Sequence, residues 1–208
     1  MSWLASPYDD PELCAAFQPA FGRGDLPSLI VGEAIEPDAA QELRARAAPH
    51  LLRLALPDRG RYRTVPPGAV PALAELAEEL RTFATAASGL ALGAAHSSLD
   101  RFDRGGYALR LDDFERRPQG PLLEATLDLS ASESQPAGTV YSEGADAGQR
   151  HLLVPQRPGV LALVLRGPQG VRCERYQSCL GGRAPAWRLR VSWTLTPLQP
   201  ARPWPARP

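Results

Sequence analysis

A change of period at Leu90 limits what this chain can fold into more than any other feature. Before it, apolar residues recur at helical spacing; after it, they alternate with polar ones in short runs cut by glycine, proline or polar turns. Segments 97–103, 107–112, 122–130, 138–142, 151–154, 160–166, 171–176 and 187–196 read as strands. Helices followed by about eight short strands predict an α+β, mainly β chain. The matching architecture is a double-stranded β-helix of the jelly-roll or cupin-like kind, with N-terminal helices packed on one sheet.

The N-terminal part supplies those helices. Asp10 and Pro11 suit an N-cap and first helical position for a short helix through Phe17. A strand is expected over 26–35, and Glu36, Pro37 and Asp38 open a second helix through Ala47 whose Ala40, Leu43 and Ala47 share a face. Pro71 opens the longest helix, to Ala87, with Leu73, Leu76, Leu80 and Phe83 at core spacing; Ser88 and Gly89 stop it. Residues 50–64 stay ambiguous, because LLRLAL suits a strand while PDRGRYR suits a turn. Three regions result: an extension over 1–25, a single domain over 26–197 and a proline-rich tail over 198–208.

The closing strand tells which way the sheet faces. Trp187, Leu189, Val191, Trp193 and Leu195 fall on one side, Arg188, Arg190, Ser192 and Thr194 on the other. Segment 122–130 splits alike, with Glu124, Thr126 and Asp128 opposite Leu123, Ala125, Leu127 and Leu129. The apolar side belongs beneath the helices. The polar side looks either into a ligand cavity or into solvent; alternation does not choose between them.

Charge and cysteine content narrow the function classes. Twenty-three basic residues, all arginine, balance 23 acidic ones, so no global field favours nucleic acid or an anionic membrane. The N-terminus has no basic region ahead of an apolar run, and no stretch reaches membrane-spanning length, so a cytoplasmic protein is expected. Cys14, Cys173 and Cys179 form no CxxC pair and read as reduced thiols. There is no Gly-x-Ser-x-Gly elbow, P-loop or dinucleotide fingerprint.

Segment FDRGGYALRLDD at 102–113 carries the sharpest chemical signal. Gly105 and Gly106 make a tight turn, after which Arg110 and Asp112 lie two apart on a strand and share a face. A facial-triad iron site needs an imidazole and a carboxylate at this spacing, with a second histidine from a distant strand. Arginine has no lone pair to give.

In order, these features resemble the prolyl-4-hydroxylase-like branch of the 2-oxoglutarate and iron(II) oxygenases. LIVGEAIEPDAAQELRARA is similar to that family's opening strand and helix, LDRFDRGGYALRLDDF to its HxD segment, ATLDLS to the next strand, VPQRPGVLALVLRG to its Pro-Gly strand pair and RLRVSW to its closing Arg-x-Ser strand. The resemblance covers about 29–197. It implies an iron site made by HxD and a distal histidine, with an arginine holding the 2-oxoglutarate carboxylate. Here the triplet is Arg110, Leu111 and Asp112, leaving Asp112 as the one surviving metal position. The distal position falls near Val171 or Arg172, and GPQGVRCERY has no histidine. His50, His96 and His151 all lie elsewhere in the order of elements and read as surface or hydrogen-bonded residues.

The carboxylate-binding arginine matches Arg190, with Arg188 as the alternative and Ser192 as its neighbour. The expectation is therefore a metal-independent pseudo-oxygenase without a cofactor, in which Arg110, Arg188, Arg190 and Ser192 bind a small carboxylate, or whose surface binds a protein partner. The alternative is an active hydroxylase that uses iron(II) and 2-oxoglutarate with unusual ligands. Nucleic acid and membrane are not expected partners.

Overall fold

A computed structural model describes residues 2–22, 26–56, 60–108, 120–132, 138–143, 150–168, 170–175 and 184–196. Arg110, Asp112, Cys179 and the proline-rich tail lie outside the described residues.

The helices begin and end where local chemistry requires. The Asp10 side chain accepts from the N–H groups of Glu12 and Leu13 to cap α1 (Pro11–Ala15), and α2 (Gln18–Phe21) follows at once. Proline occupies the first turn of both α3 (Pro37–Ala47) and α4 (Pro71–Ser88), where its missing N–H costs nothing. Gly89, at φ 68°, ends α4 in the left-handed conformation and donates its N–H to Thr85 O. Glu79 on α4 accepts from the backbone N–H groups of Trp3 and Leu4, which ties the N-terminal segment to this helix. Among the described residues, no helix is long and apolar enough to cross a membrane.

Among the described residues, eleven strands follow in chain order: β1 (Ser28–Val31), β2 (Leu52–Leu56), β3 (Gly60–Val65), β4 (Leu92–Phe102), β5 (Tyr107–Ala108), β6 (Leu122–Asp128), β7 (Gly138–Glu143), β8 (Arg150–Pro155), β9 (Leu161–Arg166), β10 (Val171–Glu174) and β11 (Ala186–Leu195). The ambiguous 50–64 stretch is a strand pair, β2 with β3, registered from Leu52↔Thr64 to Leu56↔Gly60. Strand order is β1-β9-β6-β11-β4-β3-β5-β10-β7-β8, antiparallel throughout, with β2 attached to β3. The sheet folds over, since Tyr141 of β7 and Arg172 of β10 both reach Glu124 of β6. This is the double-stranded β-helix that the sequence predicts.

The fold has two unlike interiors. Leu123, Leu127, Leu163, Leu189, Val191 and Trp193 face α3 and α4 and pack with Leu43, Leu76, Leu80 and Phe83 into the main core. Their sequence neighbours point the other way, between the two halves of the sheet; Glu124, Thr126, Asp128, Arg188 and Arg190 make one part of that face polar, while Ala162 and Val164 join a smaller apolar cluster with Tyr141 and Val154.

The turn before β5 has little freedom. Gly105 sits at φ 71°, and Gly106 donates its N–H to Asp103 O. A Cβ on Gly106 would stand 2.7 Å from that oxygen and 3.1 Å from Arg61 O. Backbone crowding therefore holds the turn against β3.

A candidate anion-binding cavity between the sheets

Position along the strands decides which charges enter the interior. On β11, Arg188, Arg190 and Ser192 sit opposite Asp128, Thr126 and Glu124 of β6 on one side and Asp100, Ser98 and His96 of β4 on the other. Pairing of β10 with β7 places Arg172 beside Tyr141 and Glu174 beside Thr139. Glu124, Asp128, Arg166, Arg172, Glu174 and Arg188 are all buried. Burial of isolated charges is prohibitive, and here each has an opposite partner.

Glu124 is the centre of this network. Arg172 Nη1 contacts Glu124 Oε1, Arg166 Nε lies 3.9 Å from Glu124 Oε2, and the Tyr141 hydroxyl donates to Oε1 at 2.5 Å. The Thr126 hydroxyl, 2.7 Å away, then donates to the Tyr141 oxygen. Burial pushes the Glu124 carboxyl up, but Arg172, Arg166, Tyr141 and Arg190 together overcome it and hold the pKa at about 2. Tyr141 is raised well above its ordinary value by burial and by the adjacent carboxylate. Tyr141→Phe is expected to cost roughly 1.5–3 kcal/mol, because it removes a hydrogen bond to a buried charge. Urea denaturation checks this; an unchanged midpoint would mean that Tyr141 does not support Glu124.

Deeper in, Arg188 Nη1 pairs with Asp128 Oδ1 at 2.6 Å, and its Nε stands 4.0 Å from Glu174 Oε2. Glu174 also accepts from Thr139 at 2.7 Å. Burial raises the Glu174 carboxyl, and Arg188, the Thr139 bond, Arg172 and Arg190 offset that only in part. Two buried carboxyls of one interior are thus shifted in opposite directions.

Toward the mouth, a cavity of about 470 Å³ opens. Asp100, Glu124, Arg166, Arg172 and Arg190 line its floor, with Tyr62, Thr64, His96, Ser98 and Ser192 nearer the rim. Arg190 pairs with Asp100, which is 1% exposed. Of the residues singled out from sequence, Arg190 and Ser192 line this cavity, Arg188 lies behind it against Asp128, and Arg110 and Asp112 are not described.

Sequence reasoning missed several participants. His96 lines the cavity because β4 begins at Leu92 and carries it alongside Ser192. His151, by contrast, is hydrogen-bonded to Ser142 at 2.9 Å and His50 is exposed. Asp100, Arg166 and Tyr62 had no motif to mark them. Alternation marked Glu124, Thr126 and Asp128, but 99–102 (LDRF) and 161–166 (LALVLR) do not alternate and left Asp100 and Arg166 without a signal.

Do these residues suit an iron ion? Among the described residues, no three His, Cys, Asp or Glu side chains gather as a ligand set. On β10, where a distal histidine is expected near Val171 or Arg172, the inward side chain is Arg172, which cannot ligate.

No family model and no curated protein matches the chain. Solved structures do. A prolyl-4-hydroxylase from Pseudomonas putida superposes with a TM-score of 0.63 at 16% identity, covering 87% of this chain and 98% of that one. A prolyl hydroxylase from Trichoplax adhaerens, in complex with a hypoxia inducible factor peptide fragment, gives 0.61 at 9% identity, covering 89% and 90%. HygX from Streptomyces hygroscopicus, with nickel, 2-oxoglutarate and hygromycin B bound, gives 0.56 at 14% identity, covering 80% and 82%.

Proposed function

The chain has the fold of the prolyl-hydroxylase-like 2-oxoglutarate oxygenases, and we propose that it works without their iron, as a binding protein for a small carboxylate. The observation that carries this reading is Arg172. It faces inward on β10 where the resemblance calls for the distal metal ligand, and it is paired with Glu124, itself inside the cavity. A fixed guanidinium there repels a cation and attracts an anion.

The remaining lining favours the same class of ligand. Among the described residues, three guanidinium groups, Arg166, Arg172 and Arg190, face two carboxylates, Asp100 and Glu124, so one positive charge is in excess. Arg190 and Ser192 occupy the positions that the resemblance assigns to carboxylate recognition, and Ser98 and Thr64 add hydroxyls nearby. Arg110 and Asp112 belong to the proposed pocket from their place in the sequence. The free thiols of Cys14 and Cys173 support a reducing, cytoplasmic setting.

His96 in the lining favours a second reading, an active oxygenase with an unusual ligand set that includes Asp112. Anaerobic titration of chelator-free protein with iron(II) and 2-oxoglutarate separates the two. The expected result is substoichiometric iron, no metal-to-ligand charge-transfer band, and a saturable rise in Tm with 2-oxoglutarate or a related dicarboxylate. Stoichiometric iron with that band would establish the second reading instead.

A further inference from the structure

A second charged site lies outside the cavity, on the opposite face of β3. Arg53 of β2 stands directly across from Arg63 of β3, and Arg63 directly across from Arg101 of β4. Arg61 shares their face two residues along, and Arg104 joins them from the turn. With Asp103 and Gly106, Arg53, Arg61, Arg63 and Arg104 line a recess of about 150 Å³.

The charges in this recess do not cancel. Asp103 takes Arg63 at 3.2 Å and Arg101 at 2.8 Å, and Arg101 also lies over the Trp187 ring. Arg53, Arg61 and Arg104 are exposed and enter no ion pair among the described residues. Among the described residues, the recess thus holds four arginines and one aspartate, with Arg101 beside it, in a chain whose formal net charge is zero. Like charges directly opposite on neighbouring strands lower stability, and Asp103 offsets this for Arg63 and Arg101.

We propose that this recess binds the phosphoryl group of a small molecule. A phosphoryl group carries close to two negative charges and three acceptor oxygens, against a single charge on a carboxylate. Three guanidinium groups with no ion pair among the described residues line the recess, Arg53 and Arg61 diagonal to each other across the β2–β3 pair and Arg104 from the turn, and guanidinium matches phosphate oxygens in pairs. Asp103 holds Arg63 and Arg101 in place at the edge. This site does not depend on the cavity between the sheets.

The test compares wild-type protein with Arg53→Gln/Arg61→Gln at constant ionic strength. Inorganic phosphate, a sugar phosphate and a nucleoside monophosphate are each titrated while Tm is followed. The expected result is a saturable rise of roughly 5–10 °C at a hundredfold excess over Kd for wild type, absent from the variant. The unliganded variant should melt at the same temperature as wild type or higher, since it loses like-charge repulsion. Equal responses to the three ligands identify the phosphoryl group as all that is read; a stronger response to one identifies its carrier. No saturable rise overturns the proposal, and so does a rise that survives in the variant, which would belong to the interior cavity. Binding of a single-stranded oligonucleotide with no response to the small phosphates would replace it with a nucleic-acid surface.

Discussion

Glu124→Leu is expected to lower the stability of the protein by roughly 3–5 kcal/mol, or about 6–20 °C in Tm for a chain of this size. The substitution leaves Arg172 and Arg166 buried beside an apolar side chain and takes the acceptor from the Tyr141 hydroxyl. Its signature in pH is more specific than its size. The Glu124 pKa is depressed from 4.5 to about 2, so the unfolded chain binds its proton first as pH falls. The stability that Glu124 contributes is therefore present above pH 4.5 and is lost between 4.5 and about 2, roughly 3 kcal/mol in all. Glu174 runs the opposite way. Its folded pKa is raised, so its contribution is present below 4.5 and lost as pH rises through the folded value. Denaturation from pH 7 to 2 should show wild type gaining from Glu174 before losing from Glu124, with the acid loss absent from Glu124→Leu. A variant with an unchanged acid limb would show that Glu124 is not the buried anion of this interior.

Arg190→Leu is expected to cost roughly 3–5 kcal/mol as well, for the mirror reason: it strands Asp100, a carboxylate 1% exposed, without its cation. Asp100→Leu should do comparable damage. The double variant Asp100→Leu/Arg190→Leu should recover most of the loss, because replacing a buried pair by apolar residues is close to neutral. Chemical denaturation of the four proteins gives the coupling directly; additive single effects would mean that the two side chains do not form a buried pair. The same cycle bears on function. The double variant, folded but lacking Arg190, should lose any thermal response to 2-oxoglutarate, whereas an intact response would move carboxylate recognition elsewhere in the cavity.

How much of this was legible in the sequence depended on whether a feature was local. Alternation in β11 and β6 correctly divided Leu189, Val191 and Trp193 from Arg188 and Arg190, and caps at Pro71 and Gly89 fixed α4. Alternation could not say what lay opposite the polar side, and solvent was an equal reading until β7 and β10 were seen to close over it through Tyr141 and Arg172. The sequence places the start of β4 at 97 rather than at Leu92 because Gly93, Ala94 and Ala95 have little strand preference of their own. Pairing with β11 extends it: Ala95 sits across from Trp193, and a Cβ on Gly93 would meet Thr194 Oγ1 at 2.6 Å. That extension carries His96 to the cavity rim. The β2–β3 pair was ambiguous for a similar reason, since LLRLAL carries no sign of its partner.

The place of β11 also bears on how the molecule comes into being. It is the last strand in sequence among the described residues, yet it lies in the middle of the sheet, hydrogen-bonded to β4 on one edge and β6 on the other. During synthesis, β4 and β6 leave the ribosome well before the strand that must separate them. Until β11 arrives their facing edges stay unpaired, the helices lack part of the surface they cover, and Asp100 and Asp128 wait for Arg190 and Arg188. Direct pairing of β4 with β6 would be a trap, and two acidic side chains at that edge, Asp100 and Asp128, repel each other and discourage it. Assembly of this fold is thus late and cooperative, with long-range pairing at its end, the pattern that makes β-rich chains slow to fold and exposed to chaperones.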